Sequence, residues 1–459
     1  MRRFKLLITL GAAAFCLSLT SAAWAQEKLV VWFNKGFYPA EDASVDEMVK
    51  KFEAKTGVKV EFARYPTPDM IAKTVAAIDT GNPPDVAYGD TFDFNVTAKW
   101  AYEGKLEDLS DILLPIKGQF LPKTLETTFL YNDKTRARSY YAFPVKRQTM
   151  HIQYWKDMLE AAGYKESDIP KTWKAYWSFW CDKVQPAYRK KTGKRAYSVG
   201  SPMGVESTDS FYSFLTFADA YNVKLIEDNG KVMANSAAVR KGLTAALTDY
   251  VSTFTKGCTP PSAVTWKDPD NNVNFHNKTL IMTHNATISI ASKWLDDSKN
   301  EKLTPEERAT AKKNYEEFVK VASFPAKPDG KPMVYRQAVK AGVVFSAAKN
   351  KKRAKEFAQF MLKDENLTPL VEGALGRWYP VTKSGAAREF WTNDPQRKTV
   401  HKQFTGGVVN FEFNKNYKFS LLNNENVWAK AINRMAIEKW PAEKAADELM
   451  GRIKQVAGN

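Results

Sequence analysis

Two hydrophobic periods alternate along the first hundred residues. Leu29–Phe33 are five consecutive apolar positions that stop at the polar, basic turn Asn34-Lys35-Gly36. Val45, Met48, Val49 and Phe52 then recur at i, i+3, i+4 and i+7, which predicts an amphipathic helix. Glu41 and Asp42 lie at its start, Lys50, Lys51 and Lys55 near its end, and Gly57 is its expected stop. "VKVEF" alternates as a strand, and a second helix places Ile71, Thr74, Val75 and Ile78 on one face before Gly81. "PPDVAYGD" reads as a short buried strand. Strand, helix, strand, helix, strand with short connections is a parallel α/β unit, whose ligands bind beyond the carboxyl ends of the strands. The Asn34–Gly36 and Gly89-Asp90 turns therefore belong on one edge.

The middle third is richer in aromatics. "TWKAYWSFWCDKVQPAY" and "TDSFYSFLTFADAYN" predict helices whose rings are mostly core, and "KTLIMTHNATISI" predicts a strand that turns polar at His284 and Asn285. "KAGVVFSAAKNKKRAKEFAQFML" gives a strand, a turn and a helix capped by Asn350, with Ala354, Phe357, Ala358 and Met361 inward. The last segment is two helices split at Pro441.

Residues 1–25 carry Arg2, Arg3 and Lys5, an apolar stretch and the small-x-small site Ala23-Trp24-Ala25, the pattern of a secretory signal peptide. Cleavage takes the net charge from +17 to 17 − 3 = +14. That charge is dispersed, without an arginine-rich tail or zinc pattern, so nucleic acid is not expected as a partner. The histidines show no metal-ligand spacing, and no cofactor is implied. Cys181 and Cys258 remain after cleavage; in an oxidising compartment they are most simply a disulfide, with two buried thiols as the alternative.

The pieces "LVVWFN…FEAKTGVKVEF", "GNPPDVAYGD", "YYAFPVKRQTMHIQYWKDMLEAAGYKESDIPKTW", "LIMTHNA", "AGVVFSAAKNKKRAKEFAQFML" and "GRWYPV" together resemble the periplasmic solute-binding proteins of ABC importers, in the carbohydrate group that includes maltose-binding protein. Trp155 stands where that pattern usually has asparagine. The resemblance implies an α/β, two-lobed periplasmic binding protein fold (type II), each lobe a mixed, mainly parallel sheet flanked by helices. It implies one lobe from 26–147 and 343–412 and another from 148–342 and 413–459, with crossovers near Lys146–Thr149 and Gly342–Phe345. It further implies a monomer in the periplasm that carries a carbohydrate to the permease subunits of an inner-membrane transporter.

A sugar presents hydroxyls and apolar ring faces, so its site needs polar side chains beside aromatic ones. The candidates are Trp32, Asn34 and Lys35 in the first turn, and Asp90, which alternatively caps a helix. Arg147 and Gln148 lie at the first crossover, where the family often places an acid. Trp266 sits in a polar loop, and His284 and Asn285 end the mid-chain strand, with His284 alternatively structural. Trp378 and Tyr379 precede Pro380; Asn423 and Trp428 lie at the penultimate helix, where the spacing also suits core. Basic Lys146 and Arg147 beside an amide raise an anionic ligand, such as an acidic sugar or glycerol phosphate, as an alternative, and count against a polyamine. Tyr140-Tyr141 is weak support for ferric ion. No GxSxG, Walker or HExxH motif is present, and a glycoside-active enzyme would be expected on a different fold.

Overall fold

The structure, a computed structural model, describes residues 28–458; the expected signal peptide lies outside them. The described strands are β1 Lys28–Asn34, β2 Lys59–Tyr65, β3 Val86–Tyr88, β4 Phe129–Asn132, β5 Ala137–Tyr140, β6 Phe143–Gln148, β7 His151–Trp155, β8 Tyr197–Gly200, β9 Leu280–Asn285, β10 Val319–Ala322, β11 Tyr335–Val344 and β12 Val408–Asn410. They form two main sheets flanked by helices, the two-lobed arrangement that the resemblance implies.

The first sheet has the order β12-β11-β3-β1-β2, with β6 also paired to β11. β1, β2, β3 and β6 run one way and β11 and β12 the other. The second has the order β10-β7-β9-β8; β8, β9 and β10 run together and β7 opposes them. Both sheets are thus mixed and mainly parallel by strand direction. β4 and β5 make a separate hairpin. The chain passes from first sheet to second between Gln148 and His151 and returns between Ala322 and Tyr335, so β11 lies wholly in the first sheet.

Local chemistry accounts for the elements. Helix Pro39–Thr56 begins with proline, carries Glu41 and Asp42 in its first turn and buries Val45, Met48, Val49 and Phe52. Gly57 ends it in the left-handed region at φ 70°, its N–H donating to the Glu53 carbonyl. Phe52 meets Phe357 edge-on at 5.0 Å, which joins this helix to helix Lys351–Leu362, capped by the Asn350 side chain as expected. The 173–192 segment is less regular than its sequence predicts. A wider π-helical turn at Phe179–Val184 interrupts it and carries Cys181, which is disulfide-bonded to Cys258 across a Cα separation of 5.3 Å. β9 ends at Asn285, earlier than the apolar pattern predicts, because Ser289 already begins helix Ser289–Asp297. No helix among the described residues is long and apolar enough to cross a membrane.

Candidate ligand-binding site

Strand register sets the first wall of the site. Asn34 pairs with Tyr65 and Phe33 with Tyr88, so β1, β2 and β3 end on one edge. Just past those ends stand Phe37, Thr67, Asp90 and Thr91, lining a cavity of about 90 Å³. One water needs about 10–15 Å³ on such a measure, so several polar groups fit. Gly89 lets the turn close: a Cβ there would lie 2.5 Å from the Phe92 ring. Gln148 at the end of β6, Lys340 within β11, and Arg377 and Trp378 from a loop complete this side. The facing wall comes from the second lobe: Thr208, Asp209 and Tyr212 at the start of helix Thr208–Ala220, Asp268 and Asn272, and Asn285, Thr287 and Ser289 after β9.

A charged lattice holds the first wall. Glu41 Oε1 accepts from Lys146 Nζ at 3.2 Å and Trp378 Nε1 at 2.5 Å; Oε2 accepts from Arg377 at 2.6 Å and the Phe37 N–H at 3.0 Å. Burial works to raise the Glu41 pKa, but Arg377, Lys146 and these donors hold it down at about 2. Asp90 accepts from Tyr88 Oη at 2.7 Å and lies 3.5 Å from both Lys146 and Arg377. Lys146 and Arg377 also sit over the Trp378 ring, at 4.1 and 4.4 Å. Lys340 donates to Asp93 at 3.0 Å and to Tyr212 Oη at 2.7 Å. Every cation here has a carboxylate partner.

The second wall is an amide, hydroxyl and carboxyl surface. Asn285 Nδ2 donates to Asn272 Oδ1 at 2.6 Å, and Asn272 Nδ2 to Ser289 Oγ at 3.0 Å. Asp268 accepts from Ser207 Oγ at 2.8 Å, Thr208 Oγ1 at 2.5 Å and the Asp209 N–H at 3.1 Å. Burial, and then Asp268, push the Asp209 carboxyl up to about 8.

Among the residues expected from sequence, Asp90, Gln148, Asn285 and Trp378 line the cavity. The others lie elsewhere, each for a visible reason. Lys35 is exposed, and the turn after it is capped by the next helix, with Gly36 N–H donating to Asp42 at 2.8 Å. Asn34 is buried and ties the edge together, donating to Thr67 Oγ1 and accepting from the Asp90 N–H. Trp32 packs edge-on to Tyr65 at 5.2 Å. Arg147 donates to the Pro380 carbonyl and Gln337, its guanidinium 5.0 and 4.8 Å from the Tyr379 and Phe404 ring centres. Tyr379 in turn stacks on Phe404 at 4.2 Å. Trp266 is buried with Nε1 on Ser262 Oγ. His284 is fully buried between Ser201 and Ser213 and ringed by Trp177, Phe217, Tyr250 and Phe324; burial lowers its pKa to about 3. Trp428 donates to Asn423 Oδ1 inside a cluster with Phe211 and Phe413.

A family model described as bacterial extracellular solute-binding protein matches residues 47–399. The chain belongs to that family. The diacetylchitobiose binding protein DasA of Streptomyces coelicolor is 31% identical over 183 residues, 37% of this chain and 40% of the relative. The sn-glycerol-3-phosphate-binding periplasmic protein UgpB of Brucella suis is 28% identical over 214 residues, 45% of each chain. The matches thus span less than half the length of these relatives. A solute-binding protein of Thermotoga lettingae TMO, bound with alpha-D-tagatose, superposes with a TM-score of 0.75 at 20% identity, covering 94% of this chain and 100% of that one; the likeness shows the fold.

Sequence reasoning missed Glu41, Asp209, Tyr212, Asp268, Asn272, Lys340 and Arg377. Lys340 had a signal, a single cation inside the otherwise apolar run of β11 beyond Gln337, and Arg377 adjoins the chosen Trp378. Asp209 and Asp268 had none, since they meet only through a tertiary contact, the Asp209 N–H donating to Asp268. The inference of a basic cleft is corrected here: Arg147 points into the crossover, and Lys146 is matched by Glu41 and Asp90.

Proposed function

We propose that this chain is the extracytoplasmic solute-binding protein of an ABC importer. It captures a carbohydrate or sugar derivative between its lobes and delivers it to a membrane permease. The observation that carries the reading is the cavity itself. Asp90, Gln148, Asn272, Asn285, Thr208 and Ser289 offer both donors and acceptors, and Trp378, Tyr212 and Phe37 offer ring faces, from both lobes at once. Hydroxyl-rich ligands need that combination. The named ligands of its relatives and neighbour, diacetylchitobiose, glycerol 3-phosphate and tagatose, all bear hydroxyls. Closing the lobes about the two connections between the sheets buries such a ligand. In this reading the protein works as a monomer in the periplasm and has no catalysis of its own, consistent with a family of binding proteins.

A thermal-shift screen of neutral sugars, polyols, uronic acids and phosphorylated polyols tests it. A ligand present at a hundred times its Kd stabilises the folded state by about 2.7 kcal/mol. Stabilisation by a peptide or ferric ion and by none of these compounds would overturn the reading, as would turnover of a glycoside.

A further inference from the structure

The charges around the cavity do not balance. Lys146 and Arg377 are matched by Glu41 and Asp90, and Lys340 by Asp93. Asp209 and Asp268 remain, both on the cavity wall and neither ion-paired among the described residues. Three cations against five carboxyl groups leaves 3 − 5 = −2 with all five ionised, and −1 while Asp209 holds a proton. Asp268 is at least fully hydrogen-bonded by the hydroxyls of Ser207 and Thr208 and the Asp209 N–H. Asp209 has the Asn271 amide for its polar neighbour, with Arg377 and Lys340 acting on it only at longer range and already committed elsewhere. A second observation points to a ligand independently. Gln148 is 5% exposed, lines the same cavity, and its side-chain amide has no hydrogen-bond partner among the described residues. Its amide therefore opens to the cavity, where a ligand can supply the partner that the folded chain does not.

We infer that the cleft takes a polyhydroxylated ligand bearing one protonated amine, an amino sugar or aminopolyol, whose ammonium sits against Asp209 while Gln148 and Asn285 take hydroxyls. This rests on the carbohydrate reading above and narrows it. An ammonium supplies three donors and a positive charge to a wall that has acceptors and surplus negative charge. An acidic sugar or a phosphorylated polyol adds to the surplus instead. The neighbours of Asp209 fix the proton balance. Burial first and Asp268 second favour its protonated form, and Arg377, the Asn271 amide and Lys340 oppose that without winning, so the free protein holds a proton there near neutrality. An arriving ammonium displaces that proton to solvent.

The test is calorimetric titration of the full mature chain with matched pairs: glucosamine, galactosamine, mannosamine and 1-amino-1-deoxysorbitol against glucose, galactose, mannose and sorbitol, with N-acetylglucosamine and glucuronate alongside. At least one amine is expected to bind ten-fold or more tighter than its hydroxyl parent at pH 7. Its heat should vary with the ionisation enthalpy of the buffer, reporting proton release. Asp209→Asn, which keeps the shape, should bring the amine-to-parent ratio near one and abolish the buffer dependence. Equal or tighter binding of the parent, the acetylated amine or glucuronate would overturn the inference while leaving the carbohydrate reading intact. Binding of none of these compounds, with none of the wider screen active, would remove both. A fold check comes with the variant: an amide needs no proton uptake to stay neutral beside Asp268, so its melting temperature should be at or above wild type and lost selectivity cannot be ascribed to unfolding.

Discussion

Glu41→Gln isolates the hub of the first wall. The substitution keeps side-chain shape and removes one charge. Glu41 accepts four hydrogen bonds, from Lys146, Trp378, Arg377 and the Phe37 N–H. An amide accepts at one end only, so its NH2 group must face donors at the other. Asp90 is then the sole carboxylate near two buried cations. The cost follows from the carboxyl's own acidity. Its drop from 4.5 to about 2 corresponds, at 1.36 kcal/mol per unit, to about 3.4 kcal/mol. Removing one partner of a buried ion pair costs about 3–5 kcal/mol, which agrees.

The pH window follows from the sign. A carboxyl whose folded pKa is depressed contributes stability that is complete above 4.5 and is lost as pH falls through about 2. Urea unfolding of wild type and Glu41→Gln should therefore differ by about 3 kcal/mol at pH 7, with the slope unchanged. Toward pH 2 the two should converge, because wild type has lost what the variant never had. A difference below about 1 kcal/mol at pH 7, or one that stays constant down to pH 2, would refute the lattice as the support of this wall.

Thiol titration of the denatured, unreduced protein should find no free thiol from Cys181 and Cys258; replacing both with serine should cost about 4.5 kcal/mol, the loop-closure figure for a separation of 77 residues. Lys35→Met should leave affinity for any cleft ligand within two-fold, since Lys35 is exposed outside the cavity lining; a ten-fold loss in titration would place that turn at the ligand. His284→Ala should lower the free energy of urea unfolding by about 2–4 kcal/mol, the range for emptying a packed core site, with ligand affinity unchanged. For Asp209 the sign is opposite to that of Glu41. Its folded pKa is raised from 3.8 to about 8, so its contribution to stability is fully present below 3.8 and falls away as pH rises to 8. A stability–pH profile of the ligand-free protein should show that decline, and Asp209→Asn should flatten it.

How much of this was legible in the sequence depended on distance along the chain. Helix Pro39–Thr56 and the strands beside it were readable because their determinants, Val45 to Phe52 and the Gly57 stop, lie within a few turns. The Gly89-Asp90 turn was placed correctly because parallel register carries strand ends to one edge. The aromatic candidates were not separable. Trp428 and Trp266 are core and Trp378 faces the cavity, yet all three sit beside small and polar residues in sequence. What decides between them is which ring finds neighbours such as Phe211 and Phe413, and those lie far away in the chain. His284 shows the same limit: the end of β9 does reach the cleft, but period-two alternation sends Asn285 to it and His284 to the opposite face.

The two walls divide the work of recognition unequally. On the first, Glu41, Asp90, Lys146 and Arg377 satisfy one another, so their geometry is set before a ligand arrives and little ordering remains to be done on binding. Such a wall holds a shape but has few bonds left to offer. On the second, Asp209 has its charge suppressed rather than paired, and at the junction of the lobes Gln148 has an amide without a partner. A ligand that merely fills the space leaves both groups as they were. On the proposed reading, one that satisfies them gains from closing the second wall onto the first, and so stabilises the closed form over the open one. Selectivity in this cleft therefore resides in the residues that the folded chain leaves incomplete, and substitution at Asp209 or Gln148 should change which ligand is taken more than it changes whether the protein folds.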